Sequence, residues 1–449
     1  MTRITALELL SSRMTLRTTS ALTQTVADMI TAGLLSHGDR LPTVREVAQE
    51  CGMSRSAVGE AWRELGARGL IETRQRGGTV VLGKPPTPRA IRYESMIRST
   101  FSGVRDLANT RTDSLTYPDL TRALTWSVSQ PHLHEPFTAP ITPELQRVME
   151  KGWSFDPQQF ITVHGLMDGI ELALSLLVKP GDAVAVETPT QGRVLDVLES
   201  LRARVIPVHY GESGPDLDEL RRALISKPVL FIYQPGASLP SGRSVDDKWI
   251  AAAASIIPPT LPVLELSHLS LLHDSQLSLG SVLPEQVTQI RAYNLFFGAD
   301  MRIAVIGGTS ELLDAMWMRL TYSTRFVSRL LQGALAFLLQ DAQATQELHS
   351  LIAAMRERHD LLASALREHG FLVENTPGPS IWLAVPDDHS VCARLSQQGI
   401  AVHPGRFFQA VPVPEERIHI NSAAVDGDHA EVAALVKGAC ELFSPFDRP

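Results

Sequence analysis

The sequence predicts an α/β protein in two parts. A small N-terminal head of helices is closed by a β-hairpin, and a larger body carries a mostly parallel sheet covered by helices. Three observations predict this. Residues 18–83 hold amphipathic stripes at helical spacing, separated by tight-turn residues and ending in two short β-prone runs around Arg76-Gly77-Gly78. Pro85, Pro86 and Pro88 then fall within four positions, the composition of a stiff, extended linker. Beyond about residue 100, helical stretches alternate with short apolar runs, the pattern of parallel strands joined by helices.

The first element is a helix over about 18–35, where Leu22, Val26, Met29, Ile30 and Leu34 share one stripe. His37-Gly38-Asp39 ends it with turn chemistry. Thr43 with Glu46 three residues on is a capping-box pattern, opening a short helix that buries Val44, Val47 and Ala48. Gly52 suits the left-handed position after its end. Ser54 caps the next helix, about 55–68. Its inward face is Val58, Ala61, Trp62 and Leu65, and its outward face is Arg55, Ser56, Gly59, Glu60 and Arg63. Gly69 closes that helix, and IETRQRGGTVVLG reads as a hairpin. Helix, helix, tight turn, helix and hairpin make a winged helix-turn-helix. Residues 1–17 are expected to be an arm on a partner subunit or a frayed end.

These elements place the head at 1–83, a Pro-rich linker at 84–110 and the body at 111–449. Lys84, Arg89 and Arg92 of the linker are read as solubilising charges or as contacts to DNA phosphates. In the body, Leu166–Leu177 is helical, and the apolar runs at 183–186, 205–208, 229–233, 263–266 and 303–306 are strands. One long helical region is expected over about 311–368, and a smaller α+β subdomain over about 372–442.

Composition narrows the function. Of 449 residues, 44% are hydrophobic and 20% charged, a globular balance. No uncharged apolar run reaches the roughly 18 residues a membrane helix needs. The opening MTRITALELLSSRM lacks the apolar core and cleavage site of a secretory leader, so a cytoplasmic location is expected. Cys51, Cys392 and Cys440 are too few and too scattered for a disulfide framework or a Cys-based zinc site. His132, His134 and Glu135 read as a polar loop, and His268 and His273 as scattered histidines, so no metal is expected. The net charge of -8 is uneven: residues 1–83 carry ten Arg and eight Asp or Glu. A slightly basic head on an acidic body fits a small DNA-binding module.

In such a head the recognition helix enters the major groove by its N-terminal end. Ser54, Arg55 and Ser56 stand where base contacts begin, and Arg55 has the fork that holds guanine O6 and N7. Arg45, in the first turn of the preceding helix, is placed to clamp a phosphate. Arg74, Arg76 and Gly77 of the hairpin are placed at the minor groove. The stretch LPTVREVAQECGMSRSAVGEAWRELGARGLIETRQRGGTVV, with the helix before it, resembles the GntR family of bacterial transcription regulators. That resemblance implies DNA contacts at Arg45, Ser54, Arg55, Ser56 and the Arg76-Gly77 wing. Gly59 departs from it, since the family often has a polar or basic residue there.

The segment from Ile161 to Leu220 resembles fold-type-I aminotransferases. The resemblance rests on Gly165 opening a helix, the turn Lys179-Pro180-Gly181-Asp182, the strand end Glu187-Thr188-Pro189, and Gly214, Asp216 and Leu220. QPGASLPSGRSV resembles that family's strand and Pro-x-Gly turn. A GntR-like head on such a body resembles the MocR subfamily, over about 18–83 and 155–425. The resemblance implies a pyridoxal phosphate (PLP) site, which needs a lysine amine, an acid on the pyridinium nitrogen and donors for the phosphate. In the family the lysine lies seven residues before a phosphate-binding arginine. That arginine matches Arg302, and seven residues back stands Leu295. No lysine occurs between Lys248 and Lys437, so a shift of register supplies none. Leu266 or Ser267 replaces the acid, His268 the tyrosine beyond it, and Gln191 the residue that stacks on the ring. Asp168 falls among the phosphate donors, where its charge repels phosphate. The arginine that clamps a substrate carboxylate falls near His419, with Arg417 an uncertain substitute.

The expectation is a homodimeric, sequence-specific regulator that binds a double-stranded DNA operator and has no enzymatic activity and no covalently held PLP. Its body serves dimerisation and senses a different effector in a pocket lined by Asp168, Gln191, His268, Leu295, Arg302 and His419. Two alternatives stand beside it: a PLP-responsive regulator that holds PLP non-covalently, and an effector-free regulator that recruits a protein partner.

Overall fold

Short helices gain most of their stability by burying one face, and the head is built this way. The computed structural model describes residues 6–14, 17–31, 33–67, 69–74, 78–82, 90–98, 104–109, 115–134, 139–272 and 277–441. They form two units, 1–89 and 90–449.

The head runs α1 (Ala6–Arg13), α2 (Thr19–Thr31), β1 (Arg40–Leu41), α3 (Val44–Glu50), α4 (Arg55–Ala67), β2 (Ile71–Arg74) and β3 (Gly78–Val81). The strands form one antiparallel sheet in the order β1-β3-β2. Leu22, Val26, Met29, Val47, Val58, Ala61, Trp62 and Leu65 meet in a single core. At the start of α3 the Glu46 N–H reaches Thr43 Oγ1 at 3.3 Å, and Glu46 Oε2 accepts the Thr43 N–H at 2.7 Å, closing the capping box. Two expectations fail here. Leu34 is 42% exposed and Leu35 is buried instead, because α2 ends at Thr31 and Gly33 turns the chain at φ +71°. Residues 6–13 are not frayed: they form α1, whose Leu10 is buried in the core of the same head.

The body begins with α5 (Ile91–Arg98) and β4 (Arg105–Asp106), then α6 (Leu120–Val128) and α7 (Pro143–Gly152). Strands and helices then alternate: β5 (Gln159–Val163), α8 (Leu166–Leu177), β6 (Ala183–Thr188), α9 (Gly192–Ser200), β7 (Arg204–His209), α10 (Leu217–Ile225), β8 (Leu230–Tyr233), α11 (Asp247–Ile256) and β9 (Val263–Ser267). Next come β10 (Val287–Ala292), α12 (Asn294–Phe297) and β11 (Ala304–Gly308). The seven strands β5 to β11 make one sheet, ordered β5-β11-β10-β9-β8-β6-β7. Only β11 runs antiparallel to its neighbours. One face packs Val184, Val186, Ile232 and Leu264 into one core, and the other packs Ala185, Phe231, Tyr233 and Val263 into another. Burial on both faces is the usual state of a parallel sheet.

The expected long helix is three: α13 (Ser310–Leu320), α14 (Arg329–Leu338) and α15 (Ala342–Glu368). Ser328 and Asp341 cap the last two with their side-chain oxygens. A smaller lobe follows, with β12 (Ser380–Ala384), α16 (Asp388–Gln397), β13 (Ile400–Ala401), β14 (His403–Pro404), β15 (Arg417–Asn421) and α17 (His429–Glu441). Its sheet is antiparallel, ordered β12-β15-β14.

The expected linker, 84–110, is shorter than its sequence suggests. Its prolines lie outside the described residues, while α5 and β4 belong to the body. The Arg92 and Tyr93 N–H groups both donate to the Asp196 carboxylate of α9, at 3.3 and 3.1 Å. The Arg92 guanidinium adds ion pairs to Asp196 and Glu199, so this residue anchors rather than solubilises. β4 pairs in parallel with β13, and Arg105 bonds Asp428.

Thr43→Ala removes the side-chain cap of α3. It is expected to lower the stability of the head by about 1 kcal/mol, read as a lower urea midpoint for its unfolding.

Candidate functional site

In the head, Ser54 Oγ accepts the Ala57 N–H at 3.1 Å and lies 3.0 Å from Ser56 Oγ. The Ser54 hydroxyl is therefore committed to capping α4. Arg55 and Arg45 are exposed and carry no ion pair with any described residue. Arg74 ends β2, and Arg76 and Gly77 lie outside the described residues. The buried stripe of α4 turns Arg55, Ser56, Glu60 and Arg63 to solvent, as the spacing predicts.

In the body, Gln191 and His268 come together. Gln191 Nε2 lies 3.2 Å from His268 Nδ1 and 3.3 Å from Gln234 Oε1. Gln234 in turn donates to Glu187 twice, from Nε2 to Oε1 and from its backbone N–H to Oε2, both at 2.9 Å. Glu187 is fully buried, and loss of solvation pushes its carboxyl up to about 8, so it is protonated at neutral pH. Burial pushes His268 down to about 4, so its ring is neutral. His268 Nε2 and Thr190 Oγ1 are both enclosed without a hydrogen-bond partner.

The other expected residues lie apart from this chain of bonds. Leu295 is buried in α12 among Phe296, Phe297 and Met301. Leu266 packs with Leu264 and Val186 in the core of the sheet. Asp168 turns back to accept the His164 N–H at 2.8 Å. Arg302 is exposed. His419 is a correction: it faces the interior of the smaller lobe. Its ring lies 3.2 Å from Ser380 Oγ, 5.5 Å from the Phe408 ring and nearly parallel to His403 at 6.4 Å. Burial, with the neighbouring His403, pushes it down to about 3. Arg417, two residues back, opens instead on a cleft of about 300 Å³ with Tyr210, Arg243 and Trp382. A cavity of about 630 Å³ is lined by Trp126, Arg147, Lys151, Arg291 and Tyr293, and not by Gln191 or His268.

Sequence reasoning missed Glu187 and Gln234. The available signal was a carboxylate closing the apolar run Ala183–Val186, where a charge has no solvent.

Residues 18–81 match the family described as bacterial regulatory proteins, gntR family, and residues 127–436 match aminotransferase class I and II. The vitamin B6 salvage pathway transcriptional repressor PtsJ of Salmonella typhimurium is 28% identical over 430 residues, covering 93% of this chain and 97% of that protein. The transcriptional regulator TauR of Rhodobacter capsulatus is 23% identical over 438 residues, covering 86% of this chain and 88% of its own. Among solved structures, aspartate aminotransferase from Thermus thermophilus with maleate superposes with a TM-score of 0.67 at 20% identity, covering 79% of this chain and 96% of that one. Kynurenine aminotransferase from Pyrococcus horikoshii gives 0.68 at 16%, covering 78% and 95%. The two structures establish the shared fold.

The buried groups set a pH dependence. Glu187 has a folded pKa of about 8 against an ordinary 4.5, so the folded state holds a proton that the unfolded state loses. Its contribution to stability is fully present below pH 4.5 and falls away up to about pH 8. Glu187→Gln keeps the shape without the titration. Between pH 5 and 8 its melting temperature is expected to fall less than that of the unmodified protein, and parallel curves would refute the assignment.

Proposed function

The chain belongs to the class I and II aminotransferase family and carries a gntR-family head, and on that footing we propose that it is a homodimeric, sequence-specific transcription regulator of the MocR type whose body has given up PLP chemistry. It acts in the cytoplasm on a DNA operator, and the body serves dimerisation and senses an effector other than covalently bound PLP.

Leu295 is the observation that carries this reading. It stands in α12 at the carboxyl end of β10, seven residues before Arg302, and the chain from 249 to 436 contains no lysine. A Schiff base needs an amine, and a leucine side chain supplies none. The other positions agree. Leu266 and Ser267 offer no acid to a pyridinium nitrogen, and Gln191 is held by Gln234 and His268. Asp168 is a carboxylate beside the helix end that would meet a phosphate. These residues do not fit covalent PLP, and no transamination is derived for them. The head supports DNA binding through the exposed Arg45 and Arg55.

A second reading is favoured by one relative, which is named as a repressor of vitamin B6 salvage. In it, Arg302 holds the phosphate of a non-covalently bound vitamer.

The test mixes the purified protein with PLP, reduces with borohydride and records intact mass and absorbance, beside a lysine-bearing homologue. The expected result is no stoichiometric adduct here and full labelling of the homologue. A single-site adduct would overturn the reading. PLP that raises the melting temperature without an adduct favours the second reading. For the head, Arg55→Ala is expected to cost about 1–3 kcal/mol of discrimination at one base pair of the selected operator, measured by competition binding.

A further inference from the structure

We propose that Arg17, which lies just outside the gntR-family match, is a phosphate contact of the DNA-binding head; this rests on the reading of the head as a DNA-binding unit. Arg17 sits between two anchored helices. Before it, Leu10 of α1 is buried in the head's core. After it, Thr18 caps α2, its Oγ1 accepting the Ala21 N–H at 3.2 Å. The side chain is thereby carried to the turn of the helix-turn-helix. Its guanidinium lies directly over Gly52: a Cβ built on Gly52 would be 2.8 Å from Nη1, 3.3 Å from Cζ and 3.7 Å from Nε. Gly52 takes φ +60° in the turn between α3 and α4, so both backbone conformation and the arginine above it call for glycine.

The position is what gives this arginine a partner. The Gly52-Met53 turn leads straight into Ser54 and Arg55, and a recognition helix enters the groove by that end. Groups around the end meet the phosphates that line the groove. Arg17 is exposed and forms no ion pair with any described residue; Glu50 lies nearby without bonding it. An exposed guanidinium with open N–H groups matches a phosphate in two-pronged fashion. Together with Arg45 on α3 it places a second cation near the turn that leads into the recognition helix.

Phosphate contacts are sequence-independent, so the test needs no known operator. Full-length protein is titrated against a mixed-sequence 40-base-pair duplex between about 50 and 200 mM salt, by fluorescence anisotropy. Each phosphate contact adds about 0.9 to the slope of log affinity against log salt. Arg17→Ala is expected to lower that slope by about 0.9 for each head bound, so that its affinity falls less across the range by a factor of about three to four for one head and about twelve for two. Arg17→Lys, which keeps the charge, retains the slope, and Arg319→Ala on α13 leaves it unchanged. If Arg45→Ala lowers the slope and Arg17→Ala does not, the inference fails and the DNA-binding reading stands. If the unmodified protein shows no salt-dependent binding, both fail together.

Discussion

A sheet buried on both faces leaves little water for a charge at its carboxyl ends, and this constraint shapes the polar groups around Glu187. Along the chain of bonds that begins there, each group is neutral and held by other neutral groups. Glu187 keeps its proton, Gln234 and Gln191 bridge outward from it, and His268 ends the chain as an uncharged ring. Leu266 and Leu295 are buried in separate hydrophobic cores of the body. A PLP site imposes the opposite electrostatics, with an ammonium or imine, a carboxylate and a dianionic phosphate close together. The same fold can satisfy either demand, which is why resemblance to aminotransferases establishes architecture and leaves chemistry to the side chains.

Much of this was legible in the sequence, for reasons that differ by element. The capping box at Thr43 and Glu46 and the stripe along α4 are local, and local signals survive folding intact. The helix at Leu166–Leu177 was equally plain, since its period is long enough to count. The strands β5 and β10 were missed because QFITV and VTQIRA mix apolar with polar residues, which the sheet buries all the same. The breaks at 321–328 and 339–341 were hidden by strong helical composition on either side, although Ser328 and Asp341 were available as capping residues. At the site, residue identity told which side chains stand at the family's PLP positions. It did not tell that Gln191 and His268 meet while His419 turns away, because that depends on how two lobes pack.

The head divides its polar residues by task. Thr43 and Ser54 spend their hydroxyls on helix ends, where unpaired N–H groups need acceptors. Arg45, Arg55 and Arg17 remain exposed around the turn. Capping thus holds the starts of α3 and α4, the helices that carry Arg45 and Arg55. Of the hairpin, β2 and β3 are described, while Arg76 and Gly77 at its tip lie outside the described residues.

The chain that leaves the Pro-rich stretch is fastened twice. The first fastening is on the larger lobe, where α5 closes on Asp196, and the second is on the smaller lobe, where β4 joins β13 and Arg105 bonds Asp428. Arg98 and Arg105 bracket the span between them, and seven residues reach at most about 25 Å. Covalent reach therefore bounds the distance between the two fastenings. Any rotation that widens their separation beyond that reach must pull one fastening free, and the end nearer the head is α5. As long as both fastenings hold, the covalent length of this stretch caps how far the two lobes can separate.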